Sequence, residues 1–233
     1  MTATAQAPAS VVSYWDGRAR DGYDAQPGQN PARELWSQRV APLVSAAVGD
    51  GAQVLDSGCG TGFLATLLAA RGHRVTGQDA SPGMLAVAEE RGVAEALDVR
   101  WLVGPAGAPP EGPFDAVVTR NVLWTLPDPA DAVRAWRGAL RPGGLLLITD
   151  GLWGAAETGE PRTDERFDTH YSDVTAQLPY GAGLDFDRCA ALVAGCGFTG
   201  IAERTGVFDT APYPSAPGFF VLCARAPHEQ LPG

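Results

Sequence analysis

From Gln53 to Ile148 the chain alternates short apolar runs with amphipathic stretches, and this rhythm restricts the fold more than any other feature of the sequence. Val54-Leu55, His73 to Asp79, Val99 to Val103, Asp115 to Thr119 and Leu145 to Ile148 read as strands. Between them, Phe63 to Arg71 is an apolar-faced helix ending at Gly72. Ser81 caps a second helix with Pro82 at its first position, Met84, Leu85, Val87 and Ala88 inward, and Gly92 at its close. Asp128 caps a third, with Val133, Trp136 and Leu140 on the buried side. Such alternation implies parallel strands joined by helical crossovers, with ligands bound beyond the carboxyl ends of the strands. The unbroken run Leu145 to Ile148 suits a strand covered on both faces.

The rhythm is absent at both flanks. Residues 1–10 are small and polar and read as a disordered lead, and Ser13 to Ala25 reads as a short irregular helix. Asn30 and Pro31 mark the start of a further helix on which Trp36, Val40, Val44 and Val48 share a face, with a kink at Pro42. Residues 1–50 are therefore expected to form a lead and helical cap on a core of residues 51–233. After Asp150, residues 151–184 show no periodicity and read as an insertion or lid. A helix from Asp185 to Ala194 and two strands, near Phe198 to Phe208 and Phe219 to Arg225, complete the sheet.

Composition narrows the partners. The net charge of −10 lacks the clustered positive charge that nucleic acid requires. All 17 basic residues are Arg, a base-composition trait with no bearing on activity. Cys59, Cys189, Cys196 and Cys223 form no C-x-x-C pair, so they read as buried reduced thiols rather than metal ligands. No stretch approaches the roughly 18 apolar residues of a membrane span, and Met1 to Ser10 shows no leader pattern, so a cytoplasmic protein is expected.

The chemistry centres on Asp56-Ser57-Gly58-Cys59-Gly60-Thr61-Gly62, a glycine-rich turn between a strand and a helix. Its glycines fall at 58, 60 and 62 with Phe63 following, which departs from the G-x-G-x-x-G dinucleotide spacing. Asp56 would repel a phosphate but attract an ammonium. Asp79 ends the second strand, where an acid can accept both hydroxyls of a ribose. The alternative for Asp79 is a turn or capping role near Ser81. Together the two acids describe an adenosine joined to an amino acid.

Val54 to Gly62 resembles the signature loop of class I S-adenosylmethionine-dependent methyltransferases. Gly77-Gln78-Asp79-Ala80-Ser81-Pro82-Gly83-Met84-Leu85 resembles their second motif, and Phe114 to Val118 and Leu140 to Gly144 resemble their fourth-strand and fifth-strand signatures. The resemblance covers roughly residues 50–150 and, more weakly, the last two strands. It implies a Rossmann-like, doubly wound α/β fold with seven strands, mostly parallel, and an antiparallel last strand. It also implies transfer of a sulfonium methyl group, leaving S-adenosylhomocysteine. The cofactor-binding set carried over is Asp56, Ser57, Gly58, Cys59, Gly60, Asp79, Ala80, Met84, Ala106, Arg120, Asn121 and Tyr23. Where members often have Gly-Asp-Ala after the third strand, this chain has Gly104-Pro105-Ala106. Proline supplies neither carboxylate nor N–H, so adenine is expected on backbone groups near Ala106 and on Met84 or Leu85.

Methyl transfer from a sulfonium demands alignment and exclusion of water, with no metal or covalent intermediate. A base is needed only for an acceptor that must lose a proton. His170 and Tyr171, beside Asp168, are the candidates, with Tyr180 further on, against the alternative that His170 is an exposed loop histidine. His73 reads as structural. Arg120 either meets the methionine carboxylate or pairs with a structural acid, and Trp15 and Tyr23 either close over the cofactor or simply pack. The excess of acid in 151–184 either favours a cationic acceptor or is merely solvated, while Trp153, Phe167, Tyr171 and Tyr180 would give a partly apolar wall. The leading expectation is methylation of an N or O atom of a small molecule. A cofactor-binding sensor, a methyltransferase for protein side chains and a nicotinamide oxidoreductase are the alternatives.

Overall fold

The computed structural model describes residues 8–25, 33–152, 171, 174–181, 183–210, 212–213 and 218–228. Seven strands, β1 (Gln53–Ser57), β2 (Arg74–Asp79), β3 (Val99–Val103), β4 (Phe114–Arg120), β5 (Leu140–Asp150), β6 (Thr199–Glu203) and β7 (Phe220–Arg225), form one sheet in the order β3-β2-β1-β4-β5-β7-β6. The first five pair in parallel, and β7 runs antiparallel to both of its neighbours. From β1 the chain steps to β2 on one side, and later to β4 on the other. That reversal opens a crevice at the carboxyl ends of β1 and β4, where open α/β sheets bind ligands.

The helices are α1 (Ala9–Arg20), α2 (Arg33–Arg39), α3 (Ala41–Val48), α4 (Phe63–Ala69), α5 (Pro82–Ala94), α6 (Pro129–Ala139) and α7 (Phe186–Gly195). Strand β5 shows why two layers of helix are needed. Leu145 and Leu147 pack on one face with Trp36, Val44 and Phe63 of α2, α3 and α4. Leu146 and Ile148 pack on the other with Val133, Trp136 and Val193 of α6 and α7. All four leucine and isoleucine side chains are buried, each contributing about 1.5–3 kcal/mol relative to exposure.

Local signals set the helix starts. Ser81 Oγ accepts from the Met84 N–H at 3.1 Å, Asp128 Oδ1 from the Asp131 N–H at 2.9 Å, and Asp185 Oδ1 from the Arg188 N–H at 2.9 Å. Four expectations change. The lead ends earlier, because α1 begins at Ala9 and runs regularly through Gly17, burying Val11, Tyr14 and Arg18 at helical spacing. The kinked helix is two helices, since Pro42 has no N–H to continue the ladder. Strand β5 starts at Leu140, which pairs with Phe114 ahead of a bulge over Arg141 to Gly144. Strand β6 stops at Glu203 and a short 3-10 turn follows. Asn30 and Pro31 lie outside the described residues.

Of residues 151–184, the two ends meet: Leu152 bridges Gly183, and the Leu184 N–H donates to Gly151 O at 3.1 Å. The segment therefore leaves and returns at the carboxyl end of β5. No helix among the described residues is long and apolar enough to cross a membrane, and among them no group of acids, His and Cys has the arrangement of a metal site. Cys59, Cys189 and Cys196 are buried free thiols, and His73 is buried with Nε2 2.9 Å from Ser45 Oγ, as expected of a structural residue.

The Asp128 cap gives a direct check on this reading of the helix starts. Asp128→Ala is expected to lower the unfolding free energy by about 0.5–2 kcal/mol, measured by denaturant titration.

Candidate active site

The glycine turn after β1 lies against the end of β2. The N–H groups of Gly58 and Cys59 both donate to Gln78 O, at 2.8 and 2.9 Å. Asp79 then closes the junction, its Oδ2 accepting from the Gly60 N–H at 2.8 Å and its Oδ1 from the Ser81 N–H at 2.9 Å. Each carboxylate oxygen can accept more than one hydrogen bond, so this arrangement fixes the group while leaving it able to take further donors. The turn role weighed for Asp79 is thus present, and it orients the acid rather than consuming it.

The three glycines of the turn have different reasons. A Cβ on Gly58 (φ +71) would stand 2.5 Å from Val122 Cγ2, and one on Gly62 (φ +77) 2.7 Å from Trp101 Cη2. Gly60 also has a positive φ, +53, yet a Cβ there would meet nothing within 4 Å. Neighbouring side chains require the outer two, whereas the middle one borders open space where a ligand can approach the backbone.

Asp56 is buried at the end of β1, and its Oδ2 accepts from the Ala65 N–H in the first turn of α4 at 2.8 Å. Burial pushes its carboxyl up to about 7, opposed by the Arg120 charge and the Ala65 bond, with Asp79 adding to the rise. Burial likewise raises Asp79, although its backbone hydrogen bonds pull the other way. The Cys59 thiol is raised well above its ordinary value by burial and by both acids, which removes it as a nucleophile.

Arg120 ends β4 with its guanidinium carbon 4.1 Å from the centre of the Phe63 ring and 5.8 Å from that of Trp36, and it donates to the Tyr213 hydroxyl. Asn121 follows at φ +59, its N–H on Thr149 O at 2.8 Å and its Oδ1 buried without a partner. Ser57 and Ala106 turn inward, because the Trp136 indole donates to Ser57 Oγ at 3.0 Å and to Ala106 O at 2.8 Å. Gln78 anchors the loop after β3 by donating to Ala108 O at 2.8 Å, which organises the segment where Pro105 stands. Met84 is buried and Ala80 half-buried beside Asp79.

Helix α1 is fastened over this junction. Asp16 Oδ1 accepts from Ser81 Oγ at 2.5 Å and from the Gly83 N–H at 2.8 Å. Asp24 Oδ1 accepts from Thr61 Oγ1 at 2.7 Å and its Oδ2 pairs with Arg91, which also donates to Thr61 O. Aromatic residues gather at the same edge. Tyr14, Trp124 and Tyr171 are buried together, the latter two stacked at 6.0 Å, and Trp15 donates through Nε1 to the Tyr171 hydroxyl at 3.0 Å. Tyr23 meets Trp15 edge to face at 5.9 Å. His170, Asp168, Trp153 and Phe167 lie outside the described residues, as do the acids Glu157 to Glu165. The sequence did not single out Asp16, Asp24 or Tyr213, while Gln78 entered only within the second motif and Trp136 only as a buried helix residue. Gln78 lies in a strand that is itself mostly polar, Arg74 to Asp79, so its position alone gave no signal.

Comparison with known proteins bears on the family and the fold. Residues 55–148 match the family described as Methyltransferase domain. A ubiquinone biosynthesis O-methyltransferase of Xanthomonas campestris is 33% identical over 130 residues, 54% of this chain and 54% of that protein. The chain thus matches about half the length of the curated relatives. Among solved structures, the 1,6-didemethyltoxoflavin-N1-methyltransferase of Burkholderia thailandensis superposes with a TM-score of 0.62 at 19% identity, over 94% of this chain and 88% of that one. The cyclase SpnF superposes with a TM-score of 0.65 at 19% identity, over 97% and 100%. Residues 55–148 thus match a methyltransferase domain, in agreement with the resemblance of the motifs to class I S-adenosylmethionine-dependent methyltransferases.

The open flank of Gly60, the fixed carboxylate of Asp79 and the partnerless Asn121 Oδ1 fit such a cofactor. Gly60→Ala is expected to fold, at a cost of about 1–2 kcal/mol for the left-handed backbone. It should nevertheless bind S-adenosylhomocysteine at least about tenfold more weakly by calorimetry. Gly58→Ala should lose more stability, since its Cβ meets Val122 rather than open space.

Proposed function

We propose that the chain moves the sulfonium methyl group of S-adenosylmethionine to an N or O atom of a small-molecule acceptor. The observation that carries this reading is the placement of an acid, Asp56, and a guanidinium, Arg120, at the ends of adjacent strands, with the fixed carboxylate of Asp79 across the glycine turn. An amino acid presents one cation and one anion, and a ribose presents two hydroxyl donors. Asp56 takes the ammonium, Arg120 the carboxylate and Asp79 the ribose. Gly58, Cys59 and Gly60 border the thioether side through backbone, and Ser57 acts through its backbone because its hydroxyl faces Trp136. Met84, Ala80 and the Ala106 backbone line the adenine side, with Asn121 and Tyr23 at the rim.

Bound S-adenosylmethionine supplies a methyl already activated by positive charge on sulfur. Transfer to the acceptor lone pair would release the cofactor as a thioether, and an N–H or O–H acceptor would give up one proton to solvent or a base. What the chain contributes is alignment, an effect worth up to roughly 7–11 kcal/mol in favourable systems. Trp15, Trp124 and Tyr171 supply a largely apolar wall at the edge where α1 crosses the site, which supports a small, partly planar acceptor and keeps water away. Residues 1–50 act as the cap of the core, and 151–184 as the acceptor-side lid. The Tyr171 hydroxyl is engaged by Trp15, so Tyr171 holds the wall, and His170 is at most an assisting base. The curated relatives act, by name, on oxygen and the toxoflavin enzyme on nitrogen, which supports an N or O acceptor. The net charge of −10 disfavours nucleic acid.

Incubation with S-adenosylmethionine and a panel of phenols, amines and acids should yield S-adenosylhomocysteine together with an acceptor heavier by one methylene, detected by mass spectrometry. Cofactor binding without turnover on any acceptor class would favour the sensor. The Asp56 carboxyl adds a pH signature. With its folded value near 7, only the ionised form pairs with an ammonium, so S-adenosylhomocysteine affinity should rise about tenfold from pH 6 to pH 8. Asp56→Asn should flatten that slope. In the cofactor-free protein the same raised value favours folding at low pH, and this contribution is lost as pH rises from about 4 through about 7.

A further inference from the structure

Tyr213 belongs to the segment between β6 and β7, far in sequence from every motif of the cofactor site, yet its hydroxyl accepts a hydrogen bond from Arg120. Its ring is only 2% exposed and is wedged between Trp36, at 6.2 Å between centroids, and Phe219, at 5.5 Å. A ring held on two sides fixes its hydroxyl in space. Arg120 itself has a long side chain whose orientation the strand alone does not determine. Phe63 supports one face of its guanidinium, and Tyr213 fixes the rotation of that group in its plane.

The chemistry of the partner matters. A carboxylate in the place of Tyr213 would hold Arg120 equally well but would neutralise it. A phenol accepts the hydrogen bond while remaining uncharged, so the contact orients the guanidinium without cancelling its charge. The sheet register strengthens the point. Arg120 pairs with Thr149 of β5, and side chains at alternate positions share a face, so Thr149 stands on the same side as Leu145, Leu147 and Tyr213. Thr149 Oγ1 is buried there without a partner, so the neighbourhood of Arg120 holds a second hydroxyl able to donate.

We infer that Tyr213 is a positioning residue for the cofactor carboxylate: it acts through Arg120 and sets the affinity for the amino-acid end of the ligand, not the chemistry of transfer. This rests on the reading of Arg120 given above. Tyr213 thereby becomes part of the cofactor site, although no sequence motif announces it.

The test compares two ligands that share adenosine and thioether, S-adenosylhomocysteine and 5′-methylthioadenosine, of which only the first carries the amino acid. Calorimetry on the full chain, wild type against Tyr213→Phe, should show S-adenosylhomocysteine weakened about tenfold while methylthioadenosine changes less than about twofold. The KM for S-adenosylmethionine should rise with it, and kcat at saturation should hold. Arg120→Gln serves as the reference and should show the same selectivity more strongly. If Arg120→Gln weakens both ligands alike, or neither, the assignment of Arg120 fails and the inference falls with it. If Arg120→Gln is selective but Tyr213→Phe weakens both ligands equally, through misfolding or lost packing, or leaves both unchanged, Arg120 stands and the role of Tyr213 is overturned.

Discussion

The carboxylate of Asp79 is the point on which the site depends. It receives the Gly60 N–H from the turn after β1 and the Ser81 N–H from the start of α5, and so locks together the ends of two parallel strands and the first turn of a helix. Ser81 extends the chain of contacts, because its hydroxyl caps α5 through Met84 and also donates to Asp16 of α1. One acid therefore sets the glycine turn, the helix beside it and, through one more residue, the helix that crosses above. Loss of Asp79 would remove the contacts to Gly60 and Ser81, so the group that fixes the turn is also the one proposed to bind the ribose.

Electrostatics explains why that geometry suits a cationic ligand. Asp56 and Asp79 are both raised by burial, each at a cost that a cation or a set of hydroxyl donors can offset. Arg120 is the charge that holds Asp56 down, and Asp56 in turn favours the charged guanidinium. A zwitterionic amino acid would complete this pair better than a phosphate, which adds to the glycine spacing against the nicotinamide reading. Helix α1 and the aromatic edge formed by Trp15, Trp124 and Tyr171 lie against the same junction.

Much of this was legible in the sequence because it is local. The caps Ser81, Asp128 and Asp185 act on N–H groups three residues away, and the strand rhythm is a property of short windows. Asp79 and the glycine turn were legible for the same reason. Contacts across the fold were not. That Gly58 answers to Val122 and Gly62 to Trp101 depends on which strands are neighbours. Pro42 was read as a kink because helix periodicity continues past it, although the backbone breaks there. Tyr213 and Asp16 reach the site across 93 and 65 residues, and no sequence window contains both partners.

A crystal structure of the chain with S-adenosylhomocysteine tests the central claim most directly. The account expects both ribose hydroxyls on Asp79, the ligand ammonium on Asp56 and its carboxylate on Arg120, with α1 still fastened through Asp16. A ligand bound away from the glycine turn, or lying there with its amino acid directed away from Asp56 and Arg120, would contradict it.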